Sequence, residues 1–155
     1  MNLPTHAILG ALSQQNVEIV KGLQPSGVDL VDAFSDDAEP FAELPGALFA
    51  ADFESAFIAS ELGMSFGPVQ GVEGFADGWR NWLEAWNRYE IQAEEFIDAG
   101  ERVVVFARVS ARTGRDGVEM EHAPAAIWTL RDGLVVRIEF YLDRDEALRA
   151  AGLAG

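Results

Sequence analysis

His122 is the residue whose type and setting most invite chemistry. Val118, Met120, Pro124, Ala126, Trp128 and Leu130 alternate around it on an otherwise apolar strand face. An imidazole titrates near neutral pH, so this position suits a general acid or base. The competing reading is a core or interface histidine satisfied by a backbone group. Arg108 is the second candidate. It shares a strand face with Val104, Phe106 and Ser110. A guanidinium on such a face needs a carboxylate or an anionic ligand, because an unpaired buried charge is costly. Asp52, Glu54 and Glu61 are the candidate partners. In a pocket Arg108 would orient an oxyanion or carboxylate; at the sheet rim or a dimer interface it would be structural. Glu54 completes the expected catalytic set of His122, Arg108 and Glu54.

Other chemistries lack their residues. With no cysteine there is no disulfide, thiolate metal site or cysteine nucleophile. His6 and His122 are not at zinc spacing. Neither a P-loop, a dinucleotide fingerprint nor a nucleophile elbow occurs. Asp36, Asp37, Glu39 and Glu43 lack the glycine and spacing of an EF-hand loop. The expectation is no cofactor and no metal. The net charge of −15 opposes binding to nucleic acid or anionic membranes. Apolar runs are broken by charge well short of the ~20 residues a membrane helix needs. Residues 1–12 carry no basic leader. A soluble cytoplasmic protein is expected.

These side chains need elements to hold them. The 155 residues, 49% of them hydrophobic, suffice for one domain with a real core. Val17, Val20 and Leu23 recur at helical spacing and predict a helix over 13–23, ended by Gln24-Pro25. A short helical segment follows over 28–34, then an acidic loop over 36–46. The stretch 47–58 is ambiguous, its second half alternating like a strand. The glycines and Pro68 of 61–71 read as a loop. Phe75, Trp79, Trp82 and Trp86 predict one aromatic face of a helix over 72–89.

The period then changes from helical to alternating. Strands are predicted over 89–97, 102–112, 118–130 and 134–142, with Pro124 marking a bulge or edge position. Turns fall at 98–101 and 113–117, and Arg131-Asp132-Gly133 is a tight hairpin signal. A closing helix covers 143–151, with Gly152 as its cap. Helices followed by antiparallel hairpins define an α+β fold: a curved antiparallel sheet with N-terminal helices packed on its concave face, forming a cone with an internal pocket.

Several stretches resemble SnoaL-like domains of the nuclear transport factor 2-like superfamily. Gly71-Val72-Glu73-Gly74-Phe75 followed by Trp79 to Trp86 resembles their central helix. Phe96-Ile97-Asp98-Ala99-Gly100-Glu101-Arg102 to Val105 resembles their second hairpin. Trp128 to Gly133, Val136 to Glu139 and Tyr141 to Arg144 resemble their last hairpin and exit, and Asn16 to Val20 their first helix. The resemblance implies a SnoaL-like domain over 13–153 behind an extension of 1–12. Residues 35–70 depart from it, reading Phe53-Glu54-Ser55 where relatives often carry a tryptophan. The resemblance also implies a homodimer through the outer sheet face, with Arg137, Glu139 and Tyr141 opposite Val136, Ile138 and Phe140.

The superfamily spans polyketide cyclases, isomerases, epoxide hydrolases, dehydratases and binding modules, so fold alone does not fix activity. An epoxide hydrolase needs an Asp-Arg-Asp set around Arg108, but the partner positions fall at Ser110 and Phe140. A ketosteroid isomerase arrangement would use Asp52 or Glu54 as base and Tyr89 or Tyr141 as donor. The expected pocket lining is Phe53, Trp79, Trp82, Phe106, Ser110, Trp128 and Phe140, suited to a small apolar or aromatic molecule. Two functions are expected of it: a cofactor-independent cyclase, isomerase or dehydratase using acid-base chemistry, or a non-catalytic binding or dimerisation module.

Overall fold

The structure is a computed structural model, and it describes residues 5–24, 26–33, 49–59 and 64–153. In chain order the elements are α1 (Thr5–Leu23), β1 (Val28–Asp29), α2 (Leu30–Ala33), β2 (Phe49–Ala59), β3 (Met64–Gln70) and α3 (Gly71–Leu83). There follow β4 (Trp86–Ala99), β5 (Arg102–Thr113), β6 (Glu119–His122), β7 (Ala125–Arg131), β8 (Leu134–Tyr141) and α4 (Arg144–Ala150). The expected α+β class holds, with a large curved, unclosed sheet and few helices. Strand order is β1-β4-β5-β7-β8-β2-β3, and β6 pairs with β5 beyond the end of β7. All pairings are antiparallel except β2 with β8, which run parallel.

Alternation along β5 separates the two sheet faces. Val103 and Val105 turn inward with Val20 and Leu23 of α1, Phe75 of α3, Phe53 of β2 and Ile138 of β8. Ala107, Val109 and Ala111 continue that inner face toward Leu30, Leu83, Tyr89 and Ile91. Val104 points the other way, where Ile127, Tyr141 and Ala147 of α4 form a smaller outer cluster. Both faces of β5 are therefore apolar over its first half, which hides the inner face from a reading of period alone. The hairpin after β7 turns through Asp132 at φ 55° and Gly133 at φ 78°, the paired left-handed conformation of a tight two-residue loop.

Several boundaries differ from the sequence expectation. The first helix begins at Thr5, not Ser13. Of the segment 28–34, residues 28–33 give a two-residue strand before a single helical turn, with Asp29 Oδ1 accepting the amide of Val31 at its start, and Phe34 lies outside the described residues. The acidic loop of 36–46 lies outside the described residues. The segment read as a loop over 61–71 contains β3, which tolerates Pro68 because it is the edge strand. The long strand of 118–130 is divided into β6 and β7 at Ala123-Pro124. Trp86 is not on the aromatic helix: α3 stops at Leu83 and Trp86 opens β4. No helix among the described residues is long and apolar enough to cross a membrane.

Candidate functional site

Helix α3 presents two kinds of residue to the sheet. Phe75, Trp79 and Trp82 supply bulk, while Gly74 and Gly78 supply none. A Cβ on Gly74 would stand 3.4 Å from Val69 of β3, and one on Gly78 would meet nothing within 4 Å. At Gly67 a Cβ would lie 2.7 Å from the Ser55 carbonyl, so the absence of a side chain lets β3 close onto β2 there. The result is a cleft of about 720 Å³ between α3, β2, β3 and the inner face of β8. Phe57, Phe75, Trp79, Trp82 and Phe140 wall it.

Phe75 and Phe140 stack nearly parallel with centroids 5.9 Å apart, while the other wall rings meet edge to face or at a tilt. Phe57 and Trp82 lie 4.9 Å apart between centroids, and Trp79 and Phe140 5.0 Å. Asp77 and Asn81 of α3 reach the same space, and Asp77 is the only ionisable residue among its described lining. No group of His, Cys, Asp or Glu among the described residues could hold a metal ion.

Behind this cleft lies a void of about 30 Å³ that reaches Tyr89, Ala107 and Pro124. Phe57, Trp79 and Phe140 border both spaces and so form the partition between them. Tyr89 is held from its backbone, where Asp29 Oδ1 accepts the Tyr89 amide at 3.0 Å. Its hydroxyl lies 3.1 Å from Nε2 of His122, and the two rings meet edge to face. Burial pushes the phenol well above its ordinary range. Burial also lowers the imidazole below 6.5. Both shifts favour neutral forms, so the pair carries no charge at neutral pH.

The expected catalytic residues do not converge. His122 is on the inner face, opposite Val109 in the β5–β6 register. Arg108 is on the outer face and exposed, 3.5 Å from Glu94. Glu54 is also on the outer face, accepting from Arg137 at 2.8 Å and from Gln70 at 3.3 Å. Asp52 pairs with Arg131 at the surface, and Glu61 lies outside the described residues. Arg144 donates to Glu94 and to the carbonyls of Ala107 and Ala123, and lies over the Phe106 ring at 4.5 Å.

Of the expected pocket lining, Trp79, Trp82 and Phe140 stand in the cleft. Phe53 and Trp128 are in the core beneath it. Phe106 and Ser110 share the outer face with Arg108, and Ser110 accepts from Arg88 at 3.1 Å. Alternation grouped these β5 residues correctly, but the valines on both faces left the inward one undecided. On β8, Arg137, Glu139 and Tyr141 do face outward, with Ile138 and Phe140 inward. A register shift at Thr129/Leu130 makes Val135, rather than Val136, the buried partner. Burial, then the bond to Glu139, raises the Tyr141 phenol.

Sequence reading missed Asp77, Asn81, the two glycines and the Tyr89–His122 contact. The recurrence of Gly74 and Gly78 beside the aromatic stripe of α3 is a signal that would have located the cleft.

Residues 29–138 match the family model for the SnoaL-like domain. No curated protein matches the chain. Among solved structures, a Jannaschia sp. CCS1 protein described as a SnoaL-like polyketide cyclase aligns over 92% of this chain and 94% of its own, with 22% identity and TM-score 0.61. TerC, co-crystallised with polyporic acid, aligns over 89% of this chain and 98% of its own, with 20% identity and TM-score 0.58. A Burkholderia thailandensis E264 NTF2-like protein has 26% identity over 90% of this chain and 98% of its own, with TM-score 0.54. The curved open sheet, the helices on its inner face and a family match spanning most of the chain place this protein in the SnoaL-like domain family, on the NTF2-like cone fold.

Proposed function

We propose that this SnoaL-like protein binds a flat apolar or aromatic small molecule in the cleft between α3 and β2. The observation that carries this is the convergence of Phe57, Phe75, Trp79, Trp82 and Phe140 from three elements onto one space of about 720 Å³, the size of a drug-sized ligand site. Apolar burial supplies the affinity, and Ser55, Asp77 and Asn81 supply the few polar contacts that orient a guest. The co-crystallisation of TerC with polyporic acid, a neighbour in fold, accords with a small-molecule role.

A catalytic extension of this reading is a cofactor-independent isomerisation, cyclisation or dehydration. The Tyr89–His122 contact favours it for a guest that reaches past the partition of Phe57, Trp79 and Phe140 into the void behind the cleft. A neutral imidazole at neutral pH is in its proton-accepting form, and its phenol partner is an acid that stays protonated. Arg108 and Glu54 lie away from this pair, so acid-base work narrows to His122 with Tyr89. The outer face, with its Glu54–Arg137–Glu139 chain, is the surface proposed for homodimer formation, and the domain is proposed to span 13–153. The same acidic protein is proposed to work in the cytoplasm without nucleic-acid or membrane partners.

The test is a thermal-shift and turnover screen of flat polycyclic, terpenoid and aromatic-acid compounds on wild type, Trp82→Leu and His122→Ala. A ligand raises the melting temperature of the state it binds. Stabilisation lost in Trp82→Leu supports the cleft. Turnover lost in His122→Ala with binding retained supports catalysis. Stabilisation equal in all three proteins sinks the cleft reading.

A further inference from the structure

The cleft's charge pattern points to a narrower ligand class, an inference that rests on the binding role above. No lysine, arginine or histidine is among its described lining residues, and Asp77 is the one ionisable group there. Two guanidiniums flank this part of the chain. Arg88 donates to Ser110 and pairs with Glu119 on the outer face. Arg80 reaches Asp77 at 3.3 Å, but as an i,i+3 pair with both side chains largely in water. Such exposed pairs contribute little, so Asp77 stays available to a better-seated cation.

The walls carry the same sign. Aromatic faces are electron-rich, and a cation is attracted to them most strongly where water is excluded. Trp79 and Trp82 stand about one turn apart on α3 and pack directly against Phe140 and Phe57, with centroids 5.0 and 4.9 Å apart, so that the four rings form one continuous aromatic wall. The whole chain adds a net charge of −15, which draws cations toward the mouth and turns anions away. An anionic ligand would meet no cation among the described lining residues, a neutral one would leave Asp77 to its exposed pair with Arg80, and an organic cation would use both the rings and the carboxylate.

We infer that the cleft takes an organic cation: an alkylated or protonated amine on an apolar or aromatic body, its charge seated between Trp79, Trp82 and Asp77. Phenyltrimethylammonium and tert-butylbenzene have nearly the same shape and differ by one charge, so they separate this inference from the binding role. Affinities are read from quenching of tryptophan fluorescence, on wild type and on Asp77→Asn, whose site is exposed and tolerant of change. The expected result is about tenfold tighter binding of the cation, a preference that shrinks several-fold in Asp77→Asn and weakens with salt.

Equal or tighter binding of tert-butylbenzene overturns the cation assignment and leaves the apolar cleft standing. A cation preference undiminished in Asp77→Asn overturns the seat assigned to that carboxylate. Failure of both probes, with a polycyclic hit from the screen lost in Trp82→Leu, rejects the cation alone. Failure of both with no such hit rejects the binding role as well.

Discussion

The hydroxyl of Tyr89 and Nε2 of His122 meet at 3.1 Å across the inner face, joining β4 to the short strand β6. Neither residue lines the large cleft, yet Tyr89 reaches the void just behind its aromatic partition. The contact ties the end of the sheet to the tryptophan cluster, since Tyr89 also packs edge-on against Trp79, Trp82 and Trp86.

His122 should give the protein a pH-dependent stability of one sign. Burial lowers its folded pKa below 6.5, so as pH falls the unfolded chain takes up a proton first. The stabilisation is complete above the unfolded pKa and is lost as pH falls through the folded value. Urea titrations of wild type and His122→Gln between about pH 7.5 and about pH 5 should show the wild-type advantage shrinking toward acid. A constant gap would mean that the imidazole titrates as freely as in the unfolded chain.

Arg144 anchors α4 to the sheet. Replacement by Met keeps the stem but removes the donors to the Ala107 and Ala123 carbonyls. The expected cost is about 1–3 kcal/mol by denaturant melts, only partly restored by Lys, whose ammonium lacks the planar fork. Hydrogen bonding from Arg144 also holds the Glu94 carboxyl below its ordinary range. That contribution is present above the unfolded carboxylate pKa and lost as pH falls through the folded one. Arg144→Met should therefore flatten the acid limb of the stability curve.

Phe53 and Phe57 lie on one strand and should respond differently. Phe53 is 1% exposed and packs against Phe49 and Phe75. Phe53→Ala should cost about 3–5 kcal/mol. Phe57 is only partly buried and borders the cleft. Phe57→Ala should cost less stability and more ligand affinity. Calorimetry beside ligand titration distinguishes the two, and equal stability losses would remove Phe57 from the cleft wall.

Glu54 and Arg137 stand opposite each other in the parallel β2–β8 register and bond at 2.8 Å. A double-mutant cycle with Glu54→Gln and Arg137→Met should return a coupling of about 1 kcal/mol, since the pair is half-shielded. Catalytic turnover, where found, should survive Glu54→Gln, because the carboxylate is on the face away from His122. Abolished turnover with unchanged stability would restore Glu54 to the site.

The second half of the chain was the more readable. From β4 to β8 the side chains alternate, and Gly100, Gly117 and Gly133 sit at positive φ where the turns were expected. The spacing of Phe75, Trp79 and Trp82 marks α3 because one face packs on a core. Trp86 keeps the same spacing by coincidence, since the chain leaves the helix before reaching it. The faces of β5 were illegible because α4 buries Val104 on one side as fully as the core buries Val103 and Val105 on the other. The pairing of β2 with β8 joins Glu54 to Arg137 across 83 residues, and no local pattern announces it. The Tyr89–His122 contact depends likewise on register between two hairpins, which the break at Ala123-Pro124 sets.

The parallel union of β2 and β8 has a consequence for biosynthesis. Residues 49–59 leave the ribosome long before residues 134–141, so the strand that carries Ser55 and Phe57 has only β3 as a sheet neighbour until β8 has been made. Non-local pairings of this kind are slow to form and expose apolar edges meanwhile. A nascent chain stalled before β8 would thus lack the cleft and display Phe53 and Phe57 instead, making it a natural client for chaperones.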